Sequence, residues 1–240
     1  MTALPTRRDE AWRYADIDAV ARGGVPDWES VVVPAGGVLE RAIVQDRGGI
    51  VRIAMALGRE ARADLRVLNT GGPYGRIELQ VTLHQGADFS LGAVQIGGGS
   101  DTLEVVTTIT HAEPGATSRQ VVRTIVGQKA TGTYLGKVAV ARDAQQTDSE
   151  QDAKAMLLDR TATANAKPEL EIYADDVKCA HGCAIGELDP AALFYLQSRG
   201  LPPAAAKSLL LEAFAAGVFD GAAEEEALKA AALARLGDLV

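Results

Sequence analysis

Alternation of apolar and polar residues, interrupted by glycine-rich breaks, limits what this chain can fold into more than any other feature. Ile77, Leu79, Val81 and Leu83 alternate with Glu78, Gln80, Thr82 and His84, a period of two that marks strands with one buried face. Leu103, Val105, Thr107 and Ile109 repeat it, and Leu170, Ile172 and Ala174 do so again. Gly71-Gly72-Pro73, Gly97-Gly98-Gly99, Pro114-Gly115 and Gly132 separate the runs. The strands recur irregularly, at intervals of roughly twenty residues, a spacing compatible with coils of a β-solenoid. A sandwich gives similar short strands, so periodicity leaves both open. No exact sequence repeat is visible.

A chain of 240 residues suits one large all-β domain or two small ones. Only 5% of residues are aromatic, so the core has to come from Val, Ile, Leu and Ala. The net charge of −8, without a basic run, argues against binding nucleic acid through its phosphates. Met1 is followed by polar and charged residues rather than a signal-peptide core, and no run approaches the length of a membrane span. Two cysteines four residues apart fit a reducing compartment. The expectation is a cytoplasmic protein.

Both ends read as helical. The first 23 residues predict a short helix carrying Ala11, Tyr14 and Asp18 before a Gly23-Gly24 stop. After Leu188, Asp189 is a good N-cap, Pro190 suits the first helical position and Gly200 suits the C′ position. Pro203 opens a second helix with Ala206, Leu209, Leu210, Ala213, Phe214 and Gly217 on one stripe. A third places Glu224, Glu225 and Glu226 in its first turn and Arg235 near its end, in accord with the helix dipole. The expected organisation is a short helical segment at 1–24, a β core at 25–188 and a helical docking domain at 189–240.

The chemistry concentrates in Cys179-Ala180-His181-Gly182-Cys183, thiol and imidazole groups that suit iron, zinc or copper. On a regular strand 179, 181 and 183 share a face. The two cysteines then stand about 13 Å apart, beyond disulfide reach unless Gly182 bends the chain. A closed zinc site wants a second ligand pair, which is absent unless the fold recruits His84 or His111. An incomplete site, finished by another chain, and a bland pairing of buried thiol with satisfied imidazole both stay open on the residues alone. Asp175 and Asp176 face opposite sides of a strand and read as a solvated turn. Lys178 points away from the thiols. His84 and His111 read as surface or inter-coil histidines on the polar phase. Ser90, Ser100, Ser118 and Ser149 lack a nucleophile context, and Gly97-Gly98-Gly99 is followed by no phosphate-binding Lys-Ser/Thr.

The surrounding residues carry a family resemblance. Lys167-Pro168, Leu170-Glu171-Ile172-Tyr173, Asp175 to Cys179, His181-Gly182, Phe194-Tyr195-Leu196 and Ser198-Arg199-Gly200 resemble the C-terminal signature of SufD-type members of the SufB/SufD family, subunits of the Suf (SufBCD) iron–sulfur cluster assembly complex. Glu10 to Tyr14 resembles that family's opening, and the middle matches in character. The resemblance implies a right-handed parallel β-helix, a β-solenoid, with a C-terminal α-helical subdomain and a short N-terminal helix. The chain is short for the family, so the expected N-terminal helical region is reduced to a few turns. The resemblance further implies a non-catalytic scaffold that pairs with a SufB-type paralogue and binds a SufC-type ABC ATPase, whose hydrolysis shifts the pair. Cys179 and His181 then lie at the paralogue interface, where a nascent iron–sulfur cluster is built transiently. Phe194, Tyr195, Leu209, Leu210 and Phe214 supply the ATPase-docking helices. Cys183 receives no role, and flavin binding by the complex is left undecided. SufB-type chains carry Glu-His-Glu-Ala near this point, so Cys-Ala-His-Gly favours the SufD side; a homodimeric scaffold is the alternative. A solenoid carbohydrate-active enzyme is the rival from another class, disfavoured by scarce aromatics and the missing secretion signal.

Overall fold

A computed structural model describes residues 4–240; the first three residues of the expected 1–24 segment lie outside it. Twelve strands form two parallel sheets that the chain visits alternately. The odd strands, β1 (Glu29–Val33), β3 (Gly49–Leu57), β5 (Tyr74–Leu83), β7 (Thr102–His111), β9 (Thr131–Val140) and β11 (Thr163–Ile172), stack in chain order in one sheet. The even strands, β2 (Val38–Gln45), β4 (Arg62–Asn69), β6 (Asp88–Gly97), β8 (Thr117–Val126), β10 (Asp148–Leu157) and β12 (Lys178–Glu187), stack in the other. One strand of each sheet makes a coil, and the coils make a β-solenoid, as the resemblance implied. Coils are longer than the expected twenty residues because each holds two strands and two corners. Glu29 registers with Ile53 at one end and Asp148 with Lys178 at the other, so a coil takes 24 residues early and 30 late.

The period-two runs point inward as read. Ile77, Leu79, Val81 and Leu83 are buried, as are Leu103, Val105, Thr107 and Ile109. Near the C-terminal end only Ala174 is buried; Leu170 is half-buried and Ile172 exposed, because no further coil covers them. A corner with positive φ precedes β2, β4, β6, β8 and β10 by two residues, at Gly36, Glu60, Gly86, Gly115 and Gln146. The fully buried alanines Ala61, Ala87 and Ala116 follow three of these corners. The coils therefore repeat in backbone while their side chains vary.

The N-terminal segment divides in two: a 3-10 turn at Glu10–Trp12, then α1 (Ile17–Gly23). The single helix expected there is interrupted because the Asp16 side chain accepts from the Ala19 N–H and starts α1 afresh. Trp12 is buried over the Arg76 guanidinium, 3.9 Å from the ring centre. Arg76 is 0% exposed and donates to the Glu104 carboxylate at 3.1 Å, which also accepts from the Tyr74 hydroxyl at 2.6 Å. Burial first, and the Glu104 charge second, push the Tyr74 pKa upward. Glu10 pairs with Lys167 on β11.

α2 (Pro190–Ser198) starts as read, with the Asp189 side chain accepting from the Ala191 N–H and Pro190 in the first turn. Gly200 takes the positive φ of a C′ residue. The stripe on α3 (Pro203–Ala216) is shifted. Ala206, Leu211 and Ala215 are buried, whereas Leu209 and Ala213 face outward. Leu211 and Ala215 continue into Val218 and Phe219, and with Leu228, Ala232 and Leu236 of α4 (Glu225–Gly237) they cover the outer face of the even sheet at Leu68, Val94, Ile96 and Ile125. That broad aliphatic surface sets which face of α3 turns in.

Breaking a buried ion pair by removing one partner costs about 3–5 kcal/mol, whereas an exposed pair contributes about 1 kcal/mol or less. Glu104→Ala is therefore expected to lower the urea-unfolding free energy severalfold more than Glu29→Ala, which breaks only the exposed Arg41 pair.

Candidate functional site

The solenoid ends on an uncovered coil. β11 pairs only with β9 and β12 only with β10, so each presents an unpaired backbone rim, among the described residues. Parallel pairing with β10 puts Cys179 beside Ser149, His181 beside Gln151 and Cys183 beside Ala153. Those three β10 residues are buried. Cys179, His181 and Cys183 thus occupy inward-facing positions at the open end, on one face as the alternation required. Cys179 is half-buried against the core, while His181 and Cys183 are exposed. The chain turns at Asp175-Asp176 before β12, and both carboxylates are exposed there. Lys178 alternates to the opposite face from Cys179.

Both thiols are free, consistent with their spacing along a straight strand. Partial burial chiefly, with the Asp148 charge, pushes the Cys179 thiol pKa up, against a smaller pull from the Ser149 backbone. Among the described residues no three His, Cys, Asp or Glu side chains converge as a ligand set. Cys179 and His181 therefore offer two donors, and a complete coordination shell needs groups from elsewhere.

Behind this edge the interior is polar, which the sequence reading missed. Successive inward columns run Phe89, Ser118, Ser149, Cys179 and Leu91, Gln120, Gln151, His181. His111 was expected on the polar phase; it lies on the inward phase of β7 with Thr107 and Ile109 and is fully buried. Its Nε2 is 3.0 Å from Ser118 Oγ, which is 2.8 Å from Ser149 Oγ. Gln120 Oε1 accepts from Thr107 at 2.9 Å and from Tyr134 at 3.3 Å. Gly136 leaves room for that tyrosine, since a Cβ there would sit 2.2 Å from its hydroxyl. Gln151 is 1% exposed, yet neither amide atom has a partner. An orphan of this kind costs about 1–3 kcal/mol. The available signal was Ser149 and Gln151 sharing the phase of Ala153 and Ala155 in one strand. His84 is on the surface, beside Glu113 at 3.1 Å.

The expected docking residues differ in exposure. Phe194 is 72% and Tyr195 56% exposed on α2, which buries no residue, and Leu209 is exposed on α3. Leu210 is half-buried, and Phe214 packs toward the even sheet near Arg123. Among the described residues no helix is long and apolar enough to cross a membrane.

Fold and edge together define a two-sheet parallel β-solenoid that ends in a thiol- and imidazole-bearing strand and carries helices on one face. Residues 30–214 match the family described as "SUF system FeS cluster assembly, SufBD core domain", and the chain belongs to this SufB/SufD family of iron–sulfur cluster assembly proteins. Similar relatives include an iron–sulfur cluster assembly SufBD family protein of Synechocystis, 36% identical over 71% of this chain, and SufD of Escherichia coli, 38% identical over 58%. The chloroplastic protein ABCI7 of Arabidopsis thaliana is 36% identical over 67%. The matched part covers 38%, 32% and 34% of those relatives, so the chain spans about a third of their length.

Two outcomes are expected. In a maleimide assay Cys183 should react faster than Cys179, whose rate should keep rising at pH values where an ordinary thiol has levelled off. The second concerns His111, whose pKa burial holds at about 4, against a smaller pull from the Ala116 backbone. The unfolded chain takes up this proton near the ordinary value of about 6.5. The His111 contribution to stability should therefore be full above pH 6.5, fall by about 3 kcal/mol as pH drops toward 4, and level off below it. His111→Gln should remove that part of the slope in pH-dependent urea melts.

Proposed function

We propose that this chain is a non-catalytic scaffold subunit of a cytoplasmic iron–sulfur cluster assembly complex, pairing with a SufB-type paralogue at the open end of the solenoid. The observation that carries the reading is the uncovered last coil. Among the described residues, the strand bearing Cys179 and His181 has no partner on its outer side, and an unpaired edge is a template for another chain. The nascent cluster is cargo rather than a resident cofactor. Cys179 thiolate and His181 imidazole supply two soft or borderline donors for its iron, and the paralogue supplies the rest. Exposed Ile172, Tyr173 and Ile185 lie around the same opening and give the partner apolar surface to cover. Cys183 lies at the same opening and is assigned no role.

A SufC-type ATPase docks on the helices, where Phe194, Tyr195 and Leu209 are the exposed apolar anchors. Leu210 and Phe214 back them from the inner side. ATP hydrolysis in that subunit shifts the scaffold pair and opens the Cys179/His181 edge.

Co-purification and size-exclusion with light scattering, using a SufB-type scaffold and a SufC-type ATPase, test the reading. Ile185→Lys should weaken association with the paralogue at least about tenfold, the cost of burying an unpaired charge, and leave the ATPase bound. Phe194→Asp with Tyr195→Asp should have the opposite effect. A stable homodimer that excludes the paralogue would favour the homodimeric scaffold, and no association with either protein would refute the scaffold assignment.

A further inference from the structure

The inward column beneath His181 changes character along the stack: Leu65, Leu91, Gln120, Gln151, His181. Leucine fills it in the early coils, so packing alone does not call for an amide. Gln120 is engaged by Thr107 and Tyr134. Gln151 is not: it is 1% exposed, registers beside His181 and has no partner for Oε1 or Nε2. The inward-facing Ser149, two residues away, is hydrogen-bonded to Ser118. Neighbouring side chains on one face of paired strands start about 5 Å apart, within the span of a glutamine and an imidazole.

We propose that Gln151 is the positioning residue of the site, its Oε1, unpartnered in this structure, turning to accept the ring N–H of His181. An imidazole that donates one N–H to a fixed acceptor is held in one tautomer and one orientation, with the lone pair of the other nitrogen presented to the metal. The inference rests on the reading of His181 as an iron ligand and adds the residue that aims it. An apolar replacement of similar volume removes the acceptor together with a buried amide N–H that has no partner, so the site loses order at little cost to the fold.

The test uses the full chain alone, with ¹⁵N-labelled histidine, at alkaline pH where imidazole is neutral. His181→Ala identifies the His181 ring signals. The expected result is one His181 tautomer in the wild type and its loss to the mixture of a free imidazole in Gln151→Leu, with an equal or higher Tm. Gln151→Glu should restore the single tautomer. A mixture in the wild type, or a single tautomer retained in Gln151→Leu, overturns the assignment. If Gln151→Leu mixes tautomers and also melts lower, restoration by Gln151→Glu supports the contact and failure to restore it overturns it. Neither readout needs a partner protein. Complex assembly with a mixed wild-type tautomer would sink Gln151 alone, and a locked tautomer without assembly would sink the scaffold reading instead.

Discussion

Everything in this molecule depends on parallel, in-register pairing of one coil with the next. Each strand satisfies its backbone through its neighbours in the same sheet, and each inward side chain stacks on the residue one coil earlier. Such a ladder has no natural terminus, because the last strand offers the same hydrogen-bonding rim as the one before it. A closed barrel abolishes its edges; a solenoid ends on a free coil. Cys179 and His181 sit on that coil, where the proposed partner contact would also satisfy the free backbone rim.

The interior is graded to match. Early coils hold Leu65, Leu91 and Phe89, and late ones hold Gln120, Gln151, Ser118 and Ser149. The apolar coils supply hydrophobic stabilisation at about 25 cal/mol per Å² buried. The polar ones rest on it and accept less favourable burial close to Cys179 and His181. A core apolar throughout would pack better but offer the edge no hydrogen-bonding groups from behind.

Much of the fold was legible from side-chain alternation alone: Ile77 to Leu83 and Leu103 to Ile109 pointed inward as their period required. The coil length was less so. Its marker is a left-handed corner held by glycine at positions 36, 86 and 115 but by Glu60 and Gln146 elsewhere, and residue type does not reveal that shared conformation. The α3 stripe slipped because its facing surface, the outer even sheet, is assembled from distant strands. His111 and Gln151 were misjudged or passed over although each shares the phase of apolar neighbours, Ile109 in one strand and Ala153 in the other, because their polarity was weighed above their position. The motif singled out Cys179 and His181. The serine and glutamine columns behind them arise only from register, which links residues about thirty positions apart.

In mechanical terms the stack is a spring, and the N-terminal segment is a tie laid along it. One end is anchored at β5, where Trp12 covers the buried Arg76–Glu104 pair; the other is the Glu10–Lys167 contact on β11. The tie spans three strand spacings, about 14 Å. Its two anchors are unequal, since the first is buried and the second exposed and worth little. Under axial load it lets go at β11 well before β5. The terminal coil is then held by its ladders to β9 and β10 alone, while the early coils keep the buried anchor as well.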